Sequence, residues 1–260
     1  MKELRLRRLF AADHRSVIVA FDHAGFMGPM QGLEDPGKLI DALASSGADA
    51  VLTTLGVARR FGDRLGKMGL ILRVDGGSSM RSPVQGTLSN QFSIEDACRL
   101  GADAVICMGM IGYPEEPSSL HNLAMLSSQS EVWGIPLIAE MLVQGKDGQP
   151  ATAKDVGFAM RIGVELGADL VKASYARPQE EFRTALQTCY RPVVVLGGEK
   201  TKNEEELLTS VSEALAAGAS GVAIGRNVWQ HSDPAGVCRA LVALVHGKAT
   251  VPQALKELKR

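Results

Sequence analysis

The residues best suited to covalent chemistry in this chain gather around one lysine. In the stretch Gly167-Ala-Asp-Leu-Val-Lys-Ala-Ser-Tyr175, Lys172 closes a short apolar run that begins at Leu170, just after a glycine turn. Such a run reads as a buried parallel strand. Burial disfavours the charged form of a lysine, and the neutral amine is the form that attacks a carbonyl carbon, so Lys172 is a candidate Schiff-base nucleophile. The competing reading is that the strand has already ended and the ammonium reaches water along its own alkyl stem.

Other apolar runs end on polar groups in the same way. Ser16-Val-Ile-Val-Ala-Phe21 ends at Asp22 and His23, Gly69-Leu-Ile-Leu-Arg-Val74 carries Arg73 and opens at Asp75, and Ile135-Pro-Leu-Ile-Ala-Glu140 ends in a carboxylate. Pro192-Val-Val-Val-Leu196 opens into Gly197, Gly198 and Lys200, and the last run ends at Gly225 and Arg226. Asp22 suits hydrogen bonding to a substrate hydroxyl, or proton exchange during carbon–carbon cleavage; it equally suits an Asx-type cap on its own loop. His23 either packs under that loop or reaches the ligand. Glu140 can serve as an acid, as a base, or as the counter-ion of Lys172. Gly197, Gly198 and Gly225 let backbone N–H groups approach an anion closely, and Arg226 adds a guanidinium, the makings of a phosphate site rather than of plain tight turns. A metal site built from His23, His121 and Glu140 has no ligand-spaced motif behind it. The expected ligand is a phosphorylated small molecule.

These runs must be positioned by something regular. Apolar strand-like segments alternate with helical ones along the whole chain: helices are expected over 38–46, 57–65, 94–100, 118–133, 153–166, 179–189, 203–217 and 234–245, with a short terminal helix over 252–258. The phrase Gly-Ala-Asp precedes a strand at Gly47, Gly101 and Gly167 and returns as Gly-Ala-Ser at Gly218. It marks a recurring helix-to-strand turn in which glycine ends the helix. Continuous apolar strands suit a sheet buried on both faces. Eight βα units in 260 residues predict a (β/α)8 TIM barrel, an α/β fold forming a single domain over 1–260 with an N-terminal extension and a short C-terminal helix. A doubly wound open sheet would want a Gly-x-Gly-x-x-Gly fingerprint after the first strand, and none is present. In a barrel, chemistry collects at the C-terminal ends of the strands, where all the groups above fall. The stretch from Met80 to Ser93 has no clear assignment.

Composition narrows the class further. With 45% hydrophobic residues, 22% charged residues and a formal net charge of -1, the chain reads as a soluble globular protein with no polybasic face for nucleic acid. No run approaches the roughly 20 apolar residues of a membrane span, and Met1 to Phe10 mixes charge with apolar residues unlike a signal peptide or anchor. The four cysteines form no CxxC pair, which points to reduced thiols and a cytoplasmic location.

Four ordered segments then carry a family resemblance: Val19-Ala-Phe-Asp-His23, Gly167-Ala-Asp-Leu-Val-Lys172, Gly197-Gly-Glu-Lys-Thr201 and Gly221-Val-Ala-Ile-Gly-Arg-Asn-Val-Trp-Gln230. Over nearly its whole length the chain resembles the archaeal-type class I fructose-bisphosphate aldolases and their relatives, the aminodideoxyheptulosonate synthases and the autoinducer-2 phosphate thiolase. The resemblance implies that Lys172 is the Schiff-base lysine, that Asp22 lines the site, and that Gly198, Gly225 and Arg226 contact phosphate. It also implies catalysis without metal or organic cofactor and assembly into a homo-oligomer. Val251, Leu255 and Leu258 of the terminal helix are candidates for packing across subunits or back onto their own barrel.

One departure stands out. Members of this group carry an acid/base tyrosine just after the fifth strand, where this chain reads Glu140-Met-Leu-Val-Gln-Gly145 and offers Leu142. Glu140, Tyr175 or Asp22 must supply the proton transfer, or the outcome differs from fructose-bisphosphate cleavage. The segment Gly28-Pro-Met-Gln-Gly-Leu-Glu34 is similar to one in the thiolase, which delivers an acyl group to coenzyme A. The expected function is therefore a Schiff-base aldolase acting on a small phosphorylated ketose or keto compound. Lysine-dependent acyl transfer or transaldolase-like exchange is the alternative, and a non-catalytic sugar-phosphate binder the weaker one.

Overall fold

A period of two within each strand decides which side chains enter the interior of this protein. The computed structural model describes residues 1–83 and 88–259. Eight parallel strands, β1 (Ser16–Ala20), β2 (Ala50–Thr53), β3 (Gly69–Arg73), β4 (Ala104–Ile111), β5 (Leu137–Val143), β6 (Leu170–Ser174), β7 (Val193–Leu196) and β8 (Gly221–Ile224), follow one another around a closed barrel in which β1 pairs with both β2 and β8. The fold is the TIM barrel expected from the repeat. Ile18, Leu52, Ile71, Ile106, Ile138, Leu170 and Val194 fill the interior as one buried cluster. Two positions further along their strands, the same inward face presents Arg73, Met108, Glu140 and Lys172. The barrel is thus apolar below and charged above by the arithmetic of alternation alone.

The longer helices flank the strands, while short ones sit at the two ends of the barrel: α1 (Lys2–Leu6), α2 (Ala24–Met27), α3 (Pro36–Ser46), α4 (Leu55–Phe61), α5 (Ile94–Arg99), α6 (Glu116–Trp133), α7 (Ala153–Glu165), α8 (Gln179–Gln187), α9 (Glu204–Ala217), α10 (Arg226–Trp229), α11 (Pro234–Val245) and α12 (Val251–Ala254). Side-chain caps start several of them, Asp35 on α3, Ser93 on α5, Thr152 on α7 and Asp233 on α11. The helix expected over 57–65 begins earlier, because Thr54 caps it, and breaks into a 3-10 turn at Gly62. The terminal helix is one α turn followed by a 3-10 turn, and Val251, Leu255 and Leu258 pack against the protein's own outer core. Within the unassigned 80–93 stretch, Ser89–Asn90 pairs antiparallel with Asp75–Gly76; positions 84–87 lie outside the described residues.

The Gly-Ala-Asp phrase does more than end a helix. Its glycines have left-handed backbones, φ 86° at Gly47, 73° at Gly101 and 93° at Gly167. Its aspartates reach across to the start of the neighbouring strand: Asp49 accepts from the Val17 N–H at 2.7 Å, Asp103 from Leu70 at 3.0 Å and Asp169 from Leu137 at 3.0 Å. Each aspartate also meets a basic side chain at the barrel floor, His246, Arg8 and Lys2 respectively. The N-terminal segment closes that floor, with Leu9 fully buried under the inner cluster and Leu6 and Phe10 packed beside it.

Candidate active site

Lys172 and Glu140 face each other because β5 and β6 pair in parallel with these two residues in register. Their side chains meet at 2.6 Å between Nζ and Oε1, and both are buried, Lys172 being only 5% exposed. The first sequence alternative for Lys172, a strand end opening to water, does not hold. Glu140 is not a strand end either, since the apolar Met141-Leu142-Val143 continues β5 beyond it. Burial by itself would push the Glu140 carboxyl up, but the Lys172 and then the Arg73 cation outweigh it and hold the group at about 2.

Arg73 is the hub of the site. Its Nε donates to Asp22 Oδ2 at 2.8 Å, its Nη1 to Asp75 Oδ1 at 3.1 Å, and its Nη2 to Glu140 Oε2. Asp75 Oδ2 in turn accepts from the Met108 N–H at 2.9 Å. Burial pushes the Asp75 carboxyl up, and Arg73 only partly offsets it. The planar guanidinium fork is what lets one side chain hold three carboxylates, one on β5 and two just beyond the ends of β1 and β3. Sequence reasoning noticed Arg73 at the end of its strand but gave it no role. The signal was its position two residues after the inward Ile71.

At the opposite side, Gly225 is required by close approach: a β-carbon there would lie 2.5 Å from the Ala20 carbonyl and 3.0 Å from His23 Cε1. Gly198 has φ 62°, a conformation natural to glycine. The Gly197–Thr201 loop is pinned to α10 by the buried Asn227, which donates to the carbonyls of Gly197 and Glu199 and accepts from the Thr201 N–H. Asn227 lay within a quoted motif, yet its positioning role was not legible there. Arg226 makes no ion pair among the described residues, and its Nε is buried without a hydrogen-bond partner. Lys200 turns away to the Gln230 carbonyl.

Asp22, His23, Glu140, Lys172, Gly197, Gly198, Gly225 and Arg226, the residues given a catalytic or ligand-binding role from sequence, all line one cavity of about 310 Å³. Arg73, Met108, Leu142, Phe26 and Met27 are also part of its wall. His121 does not: it is exposed on α6. Tyr175 is also outside the cavity. Its ring packs edge-on against Phe182 at 5.0 Å, and burial, then the Glu213 charge, push its hydroxyl up to about 12. The idea that Tyr175 replaces the missing tyrosine fails on position, because residue 175 follows the last residue of β6 and faces the helices.

A closed barrel with a buried lysine and carboxylate at the mouth is an arrangement in which the lysine can form an imine with a carbonyl substrate, and comparisons with known proteins give the class. The model of the DeoC/LacD family aldolases matches residues 16–231. A 2-amino-3,7-dideoxy-D-threo-hept-6-ulosonate synthase of Halobacterium salinarum is 33% identical over 254 residues, covering 98% of this chain and 95% of its own. A class 1 fructose-bisphosphate aldolase of Thermoproteus tenax is 34% identical over 253 residues, covering 92% and 93%. The crystal structure of an archaeal fructose 1,6-bisphosphate aldolase superposes with a TM-score of 0.85 at 33% identity, covering 95% of this chain and all of that one. The chain belongs to the DeoC/LacD family of aldolases. It is a class I aldolase, a carbon–carbon lyase of the Schiff-base kind. No described helix is long and apolar enough to cross a membrane.

Proposed function

We propose that Lys172 forms an imine with the carbonyl of a small phosphorylated ketose or related keto compound, and that the protein makes or breaks the carbon–carbon bond beyond it. The observation that carries this reading is the convergence on one cavity of a buried lysine and of an arginine, Arg226, whose Nε has no hydrogen-bond partner among the described residues. Arg226, with the N–H groups of the Gly197–Gly198 loop, takes the phosphate. Lys172 attacks the ketone, the carbinolamine loses water, and the resulting iminium draws the electron pair of the breaking bond into an enamine. Glu140 is the counter-ion of the nitrogen in its two cationic forms, the resting ammonium and the iminium, between which the attacking amine, the carbinolamine and the enamine are neutral. Asp22, fixed by Arg73, lines the side of the cavity where the substrate hydroxyls lie.

Leu142 favours a second outcome on the same imine: an apolar wall in place of a phenol suits acyl transfer to coenzyme A or transaldolase-like exchange. Borohydride trapping with dihydroxyacetone phosphate and fructose 1,6-bisphosphate tests the imine. A reduced adduct is expected on Lys172 by peptide mass spectrometry, and none in Lys172→Met. Absence of any adduct, with a known class I aldolase trapped in parallel, rejects the proposal. Turnover that depends on coenzyme A selects the second outcome.

A further inference from the structure

The cavity holds few groups able to accept a proton. Both Glu140 oxygens are occupied, one by Lys172 and one by Arg73. Asp22 gives one oxygen to Arg73 and turns the other toward His23, whose Nδ1 lies 3.4 Å away, in ion-pair range but without hydrogen-bond alignment. That Nδ1 is buried, and among the described residues it has no hydrogen-bond partner. The imidazole stands edge-on to Trp229 with ring centroids 5.6 Å apart, and Trp229 is itself anchored through Nε1 to the Ala20 carbonyl at 3.0 Å. His23 therefore lines the cavity in a fixed orientation with its proton-accepting capacity unspent.

We infer that His23, backed by Asp22, is the proton shuttle of this aldolase, in the role that Leu142 cannot fill. This rests on the proposed imine at Lys172. In the cleavage direction, His23 removes the proton from the substrate hydroxyl β to the iminium carbon. The carbon–oxygen bond becomes a carbonyl, the adjacent carbon–carbon bond breaks, and its electron pair forms the enamine while the iminium nitrogen is neutralised. The aldehyde leaves. The imidazolium, stabilised by Asp22, then returns the same proton to the enamine carbon, and water hydrolyses the iminium. No oxidant, reductant or further reactant is needed.

The electrostatic setting agrees. Burial pushes His23 down; Asp22 pushes it back up, while Lys172 from β6 and Arg226 from α10 push it down and Glu140 from β5 up, with a net lowering. The resting imidazole is neutral near pH 7 and ready to accept.

Dihydroxyacetone phosphate in deuterated water isolates this step, because enamine formation exchanges its α-proton without any aldehyde. Three forms of the full chain are compared: the unaltered protein, His23→Gln, and His23→Ala with and without added imidazole. The expected result is that His23→Gln still traps the probe on Lys172 under borohydride but exchanges deuterium at least ~100-fold more slowly. The acid limb of the exchange profile, below about pH 6.5, should vanish, and imidazole should restore part of the rate to His23→Ala. Exchange by His23→Gln within about threefold of the unaltered rate, with its acid limb intact, overturns the shuttle, the general acid–base contribution being far larger. Parallel loss of trapping and exchange, unrelieved by imidazole, overturns it in favour of a packing role against Trp229. Failure of the unaltered protein to trap the probe rejects the imine itself, a result distinct from either.

Discussion

Glu140 and Lys172 occupy directly paired positions on adjacent parallel strands, and their side chains close to 2.6 Å inside the barrel. Register, rather than a flexible loop, sets this distance, so the pair is rigid before any substrate arrives. Removing the carboxylate leaves Lys172 and Arg73 as buried cations with less compensation, which costs about 3 kcal/mol or more. Glu140→Gln should therefore lower the melting temperature near neutral pH. The sign with pH follows from the lowered carboxyl: its contribution is present above the unfolded value of about 4.3 and is lost as pH falls through about 2. Thermal melts from pH 7 to pH 2 should show the two proteins converging over that window. A constant gap would mean that the pair does not carry the difference.

Arg73 holds Asp22, Asp75 and Glu140 at once. Arg73→Met would leave three buried carboxylates facing one another, and protonation is their route to relief. The variant should be strongly destabilised at pH 7.5, by about 3–5 kcal/mol, and regain much of the deficit by pH 4.5. Arg73→Lys should recover little, because an ammonium cannot fork to three acceptors on different strands. Urea unfolding at the two pH values checks this. Equal deficits at both would sever the link between Arg73 and the carboxylate charges.

Much of this arrangement could be read in the chain itself, for reasons that are physical. The βα repeat was visible because a strand buried on both faces must be continuously apolar and a helix end must turn, as at Gly47, Gly101 and Gly167. Lys172 was visible because a cation in such a run is costly without a purpose. The β-strand ends were less legible: Met141-Leu142-Val143 extends β5 past Glu140, and an apolar run does not announce where pairing stops. Hardest to see were relationships across the barrel. That Arg73 gathers Asp22 and Glu140 from across the barrel, or that Asn227 ties the Gly197 loop to α10, depends on which side chains share an interior, and spacing along one strand does not encode the partner on another.

The aspartates of the Gly-Ala-Asp repeat are clamps on the barrel floor. Asp103 accepts from the Leu70 N–H at 3.0 Å while its own N–H donates to the Leu70 carbonyl at 2.8 Å. Asp103→Ala orphans a buried amide and should cost about 1–3 kcal/mol. Asp103→Asn keeps an acceptor and should cost less. Hydrogen exchange at Leu70 is the direct readout: protection should fall in the alanine variant by more than global stability accounts for. Unchanged protection would show that the clamp is dispensable.

His246 bridges two of these floor elements, with Nδ1 at 2.9 Å from Asp13 and Nε2 at 2.9 Å from Asp49, the same carboxylate that receives the Val17 N–H. Burial alone would lower this imidazole, but hydrogen bonds to Asp13 and then Asp49, with their charges, raise it above the usual histidine value. A raised folded value means that the stabilisation is full below about pH 6.5, the unfolded value, and is lost as pH climbs through the folded one. The unaltered protein should thus lose thermal stability as pH rises above about 6.5. A bond between charged groups is worth about 1.5–3 kcal/mol, and each kilocalorie corresponds to roughly 2–4 °C in a chain of this size. His246→Gln should begin less stable and show a flatter profile across the same range, because glutamine keeps a donor for one carboxylate but has no charge to lose. Parallel declines in the two proteins would place the pH-sensitive group elsewhere. The trend should also run opposite to that of Glu140, whose contribution disappears on acidification, so the two variants mark opposite flanks of one stability curve.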